Sequence, residues 1–345
     1  MWTLNGRVHT RAKLRILADY LHAWATIIKD HFAVAYYVDG FAGAGSYDYR
    51  GIDVLGSPGI GATVGRLAGG ATAQKNRCFE LRCRFVEANP QTCVSLRSAL
   101  TGLGAPTASV LCGRFGDLEG QIVSEIRDGP KGAPAFFFID PYGIGGLSLS
   151  SVRRILALPH TEALVNLNLP SIRRHAGQVE SLDVGDALRA KAEQKLRLLF
   201  GDDSWQDVWR RGLPTEREEG LLELYASKLN ARFRCSYRMC RDRTGKLMYY
   251  LVHATNNDKG ASIMGYLLER EQAARTLFPL QDLADVKGEL VTRYRGTRVR
   301  KSEVLSGATG GKRKLRRALG ELVVEGFAAA PTWGLDDDEE YTFFP

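Results

Sequence analysis

Between Thr10 and Lys29 the apolar residues Leu14, Leu17, Tyr20, Leu21, Trp24 and Ile28 recur at spacings of three and four. That stripe predicts an amphipathic helix lying on a core. Tyr36-Tyr37-Val38 reads as a short buried strand, closed by Asp39 and a glycine-rich turn. Ser57-Pro58 then supplies a cap and a proline at the first helical position, so a helix is expected over Ile60 to Leu67. The alternation continues with a strand at Cys83 to Val86, a helix from Asn89 or Pro90 to about Leu100, and a strand at Ser109 to Cys112. Ala135-Phe-Phe-Phe-Ile139 has no polar position, the pattern of a strand covered on both faces in the middle of a parallel sheet. A helix over Ser150 to Leu158 and a fifth strand at Ala163 to Asn166 complete a doubly wound α/β order.

The rhythm then changes. Phe233 to Cys240 and Leu247 to Ala254 are joined by a polar, glycine-containing segment, which predicts an antiparallel hairpin. Five parallel strands closed by such a hairpin form the element order of class I methyltransferases. The stretch from about 183 to 228 carries helical patterning at Leu196, Leu199, Trp205, Trp209 and Leu222, and is expected to be an inserted helical subdomain. The first domain is thus expected to cover 1–278. Residues 279–345 are expected to form a separate winged-helix-like unit: short helices near Leu283 and Ser302, a third from Lys312 to Glu325, and paired strands at Phe327 to Trp333 and Glu340 to Phe344.

Composition adds location to this outline. The 345 residues are 44% hydrophobic and 25% charged, ordinary for a globular chain. No apolar run is long enough for a membrane span, and no secretory leader pattern is present, so a cytoplasmic protein is expected. The formal charge of +8 is concentrated near the end, at Arg293, Arg295, Arg298, Arg300, Lys301, Lys312, Arg313, Lys314, Arg316 and Arg317. Such clustering suits a surface that meets phosphates, with Arg313, Lys314 and Arg317 as candidate contacts. Asp336-Asp-Asp-Glu-Glu340 is an acidic run that suits solvent or a basic partner protein. The six cysteines form no CxxC pair and no zinc spacing, and are expected as reduced thiols in or near the core.

The candidate chemistry lies at strand ends. In Asp39-Gly-Phe41-Ala-Gly43-Ala-Gly45 the glycines allow a tight turn and a close approach of backbone to ligand. A nicotinamide fingerprint would place a third glycine at 48, which is Asp48, and an acid about 20 residues further on. Neither condition holds, and the acid at the end of the second strand, Glu87, stands where it would meet a ribose. S-adenosylmethionine is therefore the expected cofactor. Asp117 is placed to meet an adenine amine, or equally to cap a helix. Phe136-Phe-Phe-Ile-Asp140-Pro-Tyr-Gly143 brings an acceptor, a rigid turn and a ring to the edge of the sheet where open α/β folds bind ligands. Asp140 and the Pro141 carbonyl can accept the two hydrogen bonds of an exocyclic amine while Tyr142 stacks on the base. Asn166 and Asn168 are candidates to complete that pocket, and Arg173 and Arg174 to grip a phosphate. His253 and the Asn256-Asn257 pair read as strand-end and turn residues without function.

Tyr37-Val-Asp-Gly-Phe-Ala-Gly-Ala-Gly45, Gly56-Ser-Pro58, Phe138-Ile-Asp-Pro-Tyr-Gly143, Leu164-Val-Asn166 with Arg173, and Tyr250-Leu-Val-His-Ala-Thr255 together resemble the three-Cys-motif partner proteins (TcmP). The resemblance spans most of the chain. It implies a methyltransferase-type domain, a winged-helix-like C-terminal part and a partner protein bearing a three-cysteine motif. The Asp-Pro-aromatic-Gly loop is also similar to that of tRNA guanine-N2 methyltransferases, more than to the Asp-Pro-Pro-Tyr loop of adenine-N6 enzymes. The expected activity is methylation of an amine on a nucleic-acid base, RNA or DNA. The alternatives are a nucleic-acid-binding regulatory subunit that keeps the pocket, and methylation of a small molecule or peptide.

Overall fold

The structure is a computed structural model, and it describes residues 8–49, 52–73, 78–105, 107–130, 132–211, 214–240, 247–277, 280–307, 312–330 and 340–344. Helix α1 (Val8–Ile28) leads into β1 (Val34–Asp39), a hairpin of β2 (Ser46–Tyr49) and β3 (Ile52–Leu55), and α2 (Ser57–Ala73). The alternation proceeds through β4 (Glu80–Glu87), α3 (Pro90–Gly102), β5 (Ala108–Cys112), α4 (Phe115–Asp128), β6 (Ala135–Ile139), α5 (Leu149–Leu156), β7 (Thr161–Asn168) and α6 (Leu169–Glu180). Three further helices, α7 (Asp186–Phe200), α8 (Trp205–Arg210) and α9 (Pro214–Ser227), precede β8 (Phe233–Cys240), β9 (Leu247–Thr255) and α10 (Asp258–Leu277).

Seven strands form one sheet in the order β5-β4-β1-β6-β7-β9-β8. The first five run parallel, and β9 enters antiparallel between β7 and β8, with Asn166 opposite Leu251. This is the strand order of the class I methyltransferase fold, as the sequence pattern predicts. All five residues of β6 are buried, which is why that strand can be purely apolar. Its alternate side chains feed two cores: Phe137 and Ile139 pack with α4, α5, α6 and the inserted helices, while Phe136 and Phe138 pack with α1, α2 and α10. Helices cover both faces, so the central strands β1, β6 and β7 are almost wholly buried, while the edge strands β5 and β8 are not.

The β2/β3 hairpin, α4, α6 and the 20-residue helix α10 escape the sequence reading, as does a short strand at Arg298–Arg300. Asn89 caps α3 as expected, its side chain accepting from the Thr92 amide at 3.1 Å. One cysteine expectation is corrected. Cys93 of α3 and Cys112 at the end of β5 are paired as a disulfide, because the helix folds back against the edge strand and brings the two residues together. Cys78, Cys83, Cys235 and Cys240 take no part in a disulfide. Among the described residues no helix is long and apolar enough to cross a membrane.

The C-terminal residues have a core of their own, built from α11 (Leu280–Tyr294), β10 (Arg298–Arg300), α12 (Lys301–Gly307), α13 (Lys312–Val324), β11 (Ala328–Ala329) and β12 (Glu340–Phe343). A three-stranded sheet in the order β10-β12-β11 backs the helices. A buried ion pair joins this unit to the first, Arg15 of α1 reaching Glu321 of α13 at 2.7 Å; Arg15 also reaches Glu271 of α10 at 3.0 Å, and within the C-terminal unit Lys287 of α11 reaches Glu321 at 2.9 Å. At the amino edge of the main sheet, Tyr20 of α1 donates to Glu162 of β7, and the His253 ring of β9 bonds the same carboxylate at 3.0 Å. His253, near the end of β9 as expected and fully buried, is thus a core clasp between three elements.

Helix α2 shows how closely the layers fit. A Cβ at Gly61 would lie 2.3 Å from the Tyr37 ring, whereas one at Gly70 would meet nothing within 4 Å. Gly61→Ala is expected to destabilise the protein by about 1–3 kcal/mol, and Gly70→Ala to stabilise it by about 0.4–1 kcal/mol. Urea denaturation of the two variants side by side checks both signs.

Candidate active site

The carboxyl ends of β1, β4, β6 and β7 converge on one edge, and each contributes a polar side chain. Asp39 ends β1 and is fully buried. Its Oδ1 accepts from the Phe41 amide at 3.0 Å, which folds the backbone into the following turn. Its Oδ2 is buried without a hydrogen-bond partner. Burial pushes the carboxyl up to about 7, opposed by Ser57 and the Phe41 amide and reinforced by nearby Asp140.

Gly43 and Gly45 take φ values of 65° and 83°, left-handed conformations that favour glycine. The loop they form is braced from the next strand: Glu87, at the end of β4, accepts from the Gly43 amide at 3.0 Å and from the Asn89 amide at 2.7 Å. Glu87 keeps lone pairs for further donors, since a carboxylate has about four acceptor sites. Phe41 packs on Phe115 of α4 with ring centroids 5.6 Å apart, so the far side of the loop is anchored too. The β2/β3 hairpin rises directly from Gly45, whose carbonyl accepts from Gly56 at 2.8 Å.

Asp140 follows β6 beside Asp39. Both of its oxygens are engaged: Asn166 of β7 donates to Oδ1, and Lys13 of α1 forms an ion pair with Oδ2. Lys13 is buried, and its ammonium lies 5.3 Å from the centre of the Tyr249 ring of β9. Asn166 is buried as well, and its Oδ1 has no partner. Pro141 is buried behind this group, while Tyr142 is fully exposed, at 102% of the reference area. Gly143, at φ 86°, turns the chain back toward Ser171. The result is a floor of the buried Asp39, Asn166 and Lys13 with the part-buried Asp140 among them, and an exposed aromatic ring in the loop that follows.

Other candidates lie elsewhere or are already occupied. Asn168 does not enter the pocket: its side chain caps α6, accepting from the Ser171 amide at 2.9 Å. Arg173 is not free to grip a phosphate, because Glu218 of α9 takes its guanidinium at 2.6 Å and the Leu247 carbonyl accepts at 3.3 Å. Arg174, on the next position of α6, is exposed. Asp117 is exposed in the first turn of α4, and the cap position there belongs to Arg114. Arg313, Lys314 and Arg317 fall on α13, and their side chains lie outside the described residues. Arg293, Arg295, Arg298, Arg300 and Arg316 are exposed on the same unit. Residues 336–339 of the acidic run are outside the described part, and Glu340 pairs in register with Arg300.

Lys13 and Tyr249 are the residues the sequence reading missed. A signal existed: Lys13 stands four residues before Leu17 and seven before Tyr20, on the apolar stripe of α1. A cation on a buried stripe needs a buried partner.

Strand order and the position of these residues assign the chain to the class I methyltransferase fold. No family model matches the sequence, and no curated protein does. Solved structures do show likeness. Protein LPL1258 from Legionella pneumophila is 10% identical with a TM-score of 0.43, over 74% of this chain and 89% of that one. The O-methyltransferase TomG from Streptomyces achromogenes, in complex with SAM, is 14% identical with a TM-score of 0.36, over 70% and 79%. The O-methyltransferase from Bacillus cereus in complex with SAH is 13% identical with a TM-score of 0.35, over 69% and 80%. At these values the superpositions are partial, and the fold assignment rests on the strand order itself.

Asp39 carries a stability prediction. Its carboxyl holds a proton more tightly in the folded state than in the unfolded one, so its contribution is complete below pH 4 and is lost as pH rises toward 7. The loss is on the order of 4 kcal/mol at most. Urea unfolding at pH 4.5 and 8.0 is expected to show this decline in the wild type and a flatter profile in Asp39→Asn.

Proposed function

We propose that this chain is an S-adenosylmethionine-dependent methyltransferase whose acceptor is an exocyclic amine of a base in RNA or DNA. The observation that carries the reading is the set of buried acceptors at one sheet edge, Asp39 Oδ2 and Asn166 Oδ1 unpartnered and Asp140 between them, beside a glycine turn that leaves the backbone open. Unpartnered buried acceptors call for donors from a ligand. A cofactor with an ammonium and ribose hydroxyls supplies such donors, and Asp39, Gly43, Gly45 and Glu87 would hold it. When bound, S-adenosylmethionine supplies a methyl group on a sulfonium, an already good leaving arrangement.

The chain's own residues then have a positioning task. Asp140 and the Pro141 carbonyl accept from the acceptor amine, and Asn166 fixes the Asp140 rotamer. Tyr142 offers its exposed ring for stacking on the base. As the nitrogen takes the methyl carbon, the carbon–sulfur bond breaks with its pair on sulfur, and one proton leaves the nitrogen for water. The five exposed arginines of the C-terminal unit favour a phosphate backbone as carrier of the base. The order of helices and strands in that unit supports reading it as a winged helix. The resemblance to three-Cys-motif partner proteins adds a partner of that kind as a component of the active assembly.

Calorimetry tests the pocket: S-adenosylmethionine is expected to bind the wild type at least 100-fold more tightly than an Asp39→Ala, Gly43→Val double variant, and equal binding overturns the reading. Methyl-labelling of total RNA, DNA and protein then identifies the substrate class. Label is expected in nucleic acid and at least 100-fold weaker with Asp140→Ala; label only in protein overturns the nucleic-acid assignment.

A further inference from the structure

Among the described residues Lys13 is the cation on the floor of the site, and nothing in amine methylation by orientation requires it. A lysine among apolar neighbours costs free energy unless it is paired, and here the pair is Asp140 itself. Burial of Lys13, the ion pair, the Tyr249 ring at 5.3 Å and the Asn166 bond on the other oxygen fix both members of the pair. Arg15, two residues on, ties the same helix to Glu271 and Glu321, so α1 is held at this depth from its other face.

This arrangement bears on what the acceptor can be. An alkylamine such as a lysine side chain is protonated near neutral pH and has no lone pair to offer. It would first have to give its proton to Asp140, whose oxygens are already tied to Lys13 and Asn166. It would also bring a second positive charge to within about 4 Å of the Lys13 ammonium, a repulsion that corresponds to a roughly thousandfold penalty in a partly buried site. An amine attached to an aromatic base is neutral, keeps its nitrogen lone pair, and can donate to the remaining lone pairs of Asp140 and to the unpartnered Asn166 Oδ1. The ammonium is thus a filter against cationic acceptors as well as a clamp on the carboxylate.

We propose that Lys13 is a specificity-determining and positioning residue of this site, which holds Asp140 for a neutral aromatic amine and excludes cationic alkylamines. The inference rests on the methyltransferase reading above. It is tested with three variants, Lys13→Met, Lys13→Ala and Lys13→Arg, and two acceptor probes, heat-denatured total nucleic acid and poly-L-lysine, with labelled S-adenosylmethionine. The wild type is expected to label nucleic acid at least 100-fold above poly-L-lysine. Lys13→Met is expected to lose at least 100-fold of that labelling, with cofactor affinity by calorimetry within threefold of wild type. Its ratio of poly-L-lysine to nucleic-acid labelling is expected to rise. Lys13→Arg is expected to retain part of the activity.

Lys13→Ala separates a role at Asp140 from a merely structural one. Methylammonium chloride is expected to bind this variant and not the wild type in calorimetry, and to restore nucleic-acid labelling at least tenfold. Wild-type labelling of poly-L-lysine at the nucleic-acid level overturns the filter. Lys13 variants as active as wild type, or inactive ones that lose cofactor affinity and ignore methylammonium, overturn the positioning role. Failure of the underlying reading shows itself differently, as wild-type protein that binds no cofactor or labels neither probe, and that result removes the inference with it.

Discussion

Two carboxylates end adjacent strands at the buried edge of this sheet, and the structure depends on how their charge is managed. Asp39 closes β1 and Asp140 follows β6, whose residues are in register with β1. Two bare anions in a dry site would repel each other and each would pay for lost hydration. The fold resolves this asymmetrically. Asp140 receives a buried ammonium and an amide, while Asp39 receives no cation, only Ser57 and one backbone amide, so burial pushes its carboxyl up to about 7. Near neutral pH Asp39 is thus divided between its protonated and ionised forms, while Lys13 stands against Asp140. A cationic ligand arriving at Asp39 would draw its proton off, which makes the less supported carboxylate the one that responds to ligand.

Helix α1 is the element that makes this possible, and it does so while joining three regions. Lys13 reaches the site, Arg15 reaches the C-terminal unit through Glu321, and Tyr20 reaches the opposite edge of the sheet through Glu162. A helix rises 1.5 Å per residue, so these three anchors fall within about two turns of one rigid rod. Displacing the C-terminal unit would thus act on the height of Lys13 through a single element with no flexible joint between.

Much of this was legible in the sequence where period and chemistry agree. The apolar run of β6, the stripe of α1 and the Asn89-Pro90 start of α3 each follow from local rules, and the structure has them as elements. Helix α6 was hidden because Asn168-Leu-Pro looked like a strand end leading into a pocket, when Asn168 is the cap of a helix. Arg173 was misread for the same kind of reason: its partner Glu218 lies 45 residues away on an inserted helix, and no local pattern announces such a pair. The Cys93–Cys112 bond likewise depends on a helix folding back on an edge strand. At the site, strand ends were visible and the tenant from α1 was not, since its partner is 127 positions distant.

The site divides labour in a way that follows from its depth. Its floor is mostly buried, so polar groups there are strong and directional, but an amine alone makes few contacts on which affinity could rest. The loop after β6 carries one fully exposed aromatic ring, and the exposed arginines sit on a unit with a separate core. Under the proposed function, affinity for a long anionic substrate would come from many weak, salt-dependent contacts on that unit, while discrimination would come from a few groups at the floor. Such a separation predicts that changes on the C-terminal unit alter how much substrate is held, and changes at Lys13 or Asn166 alter which nitrogen is accepted. The ion pair between Arg15 and Glu321 is a place where the two meet, because it joins the helix that carries Lys13 to a helix of the unit that carries the exposed arginines.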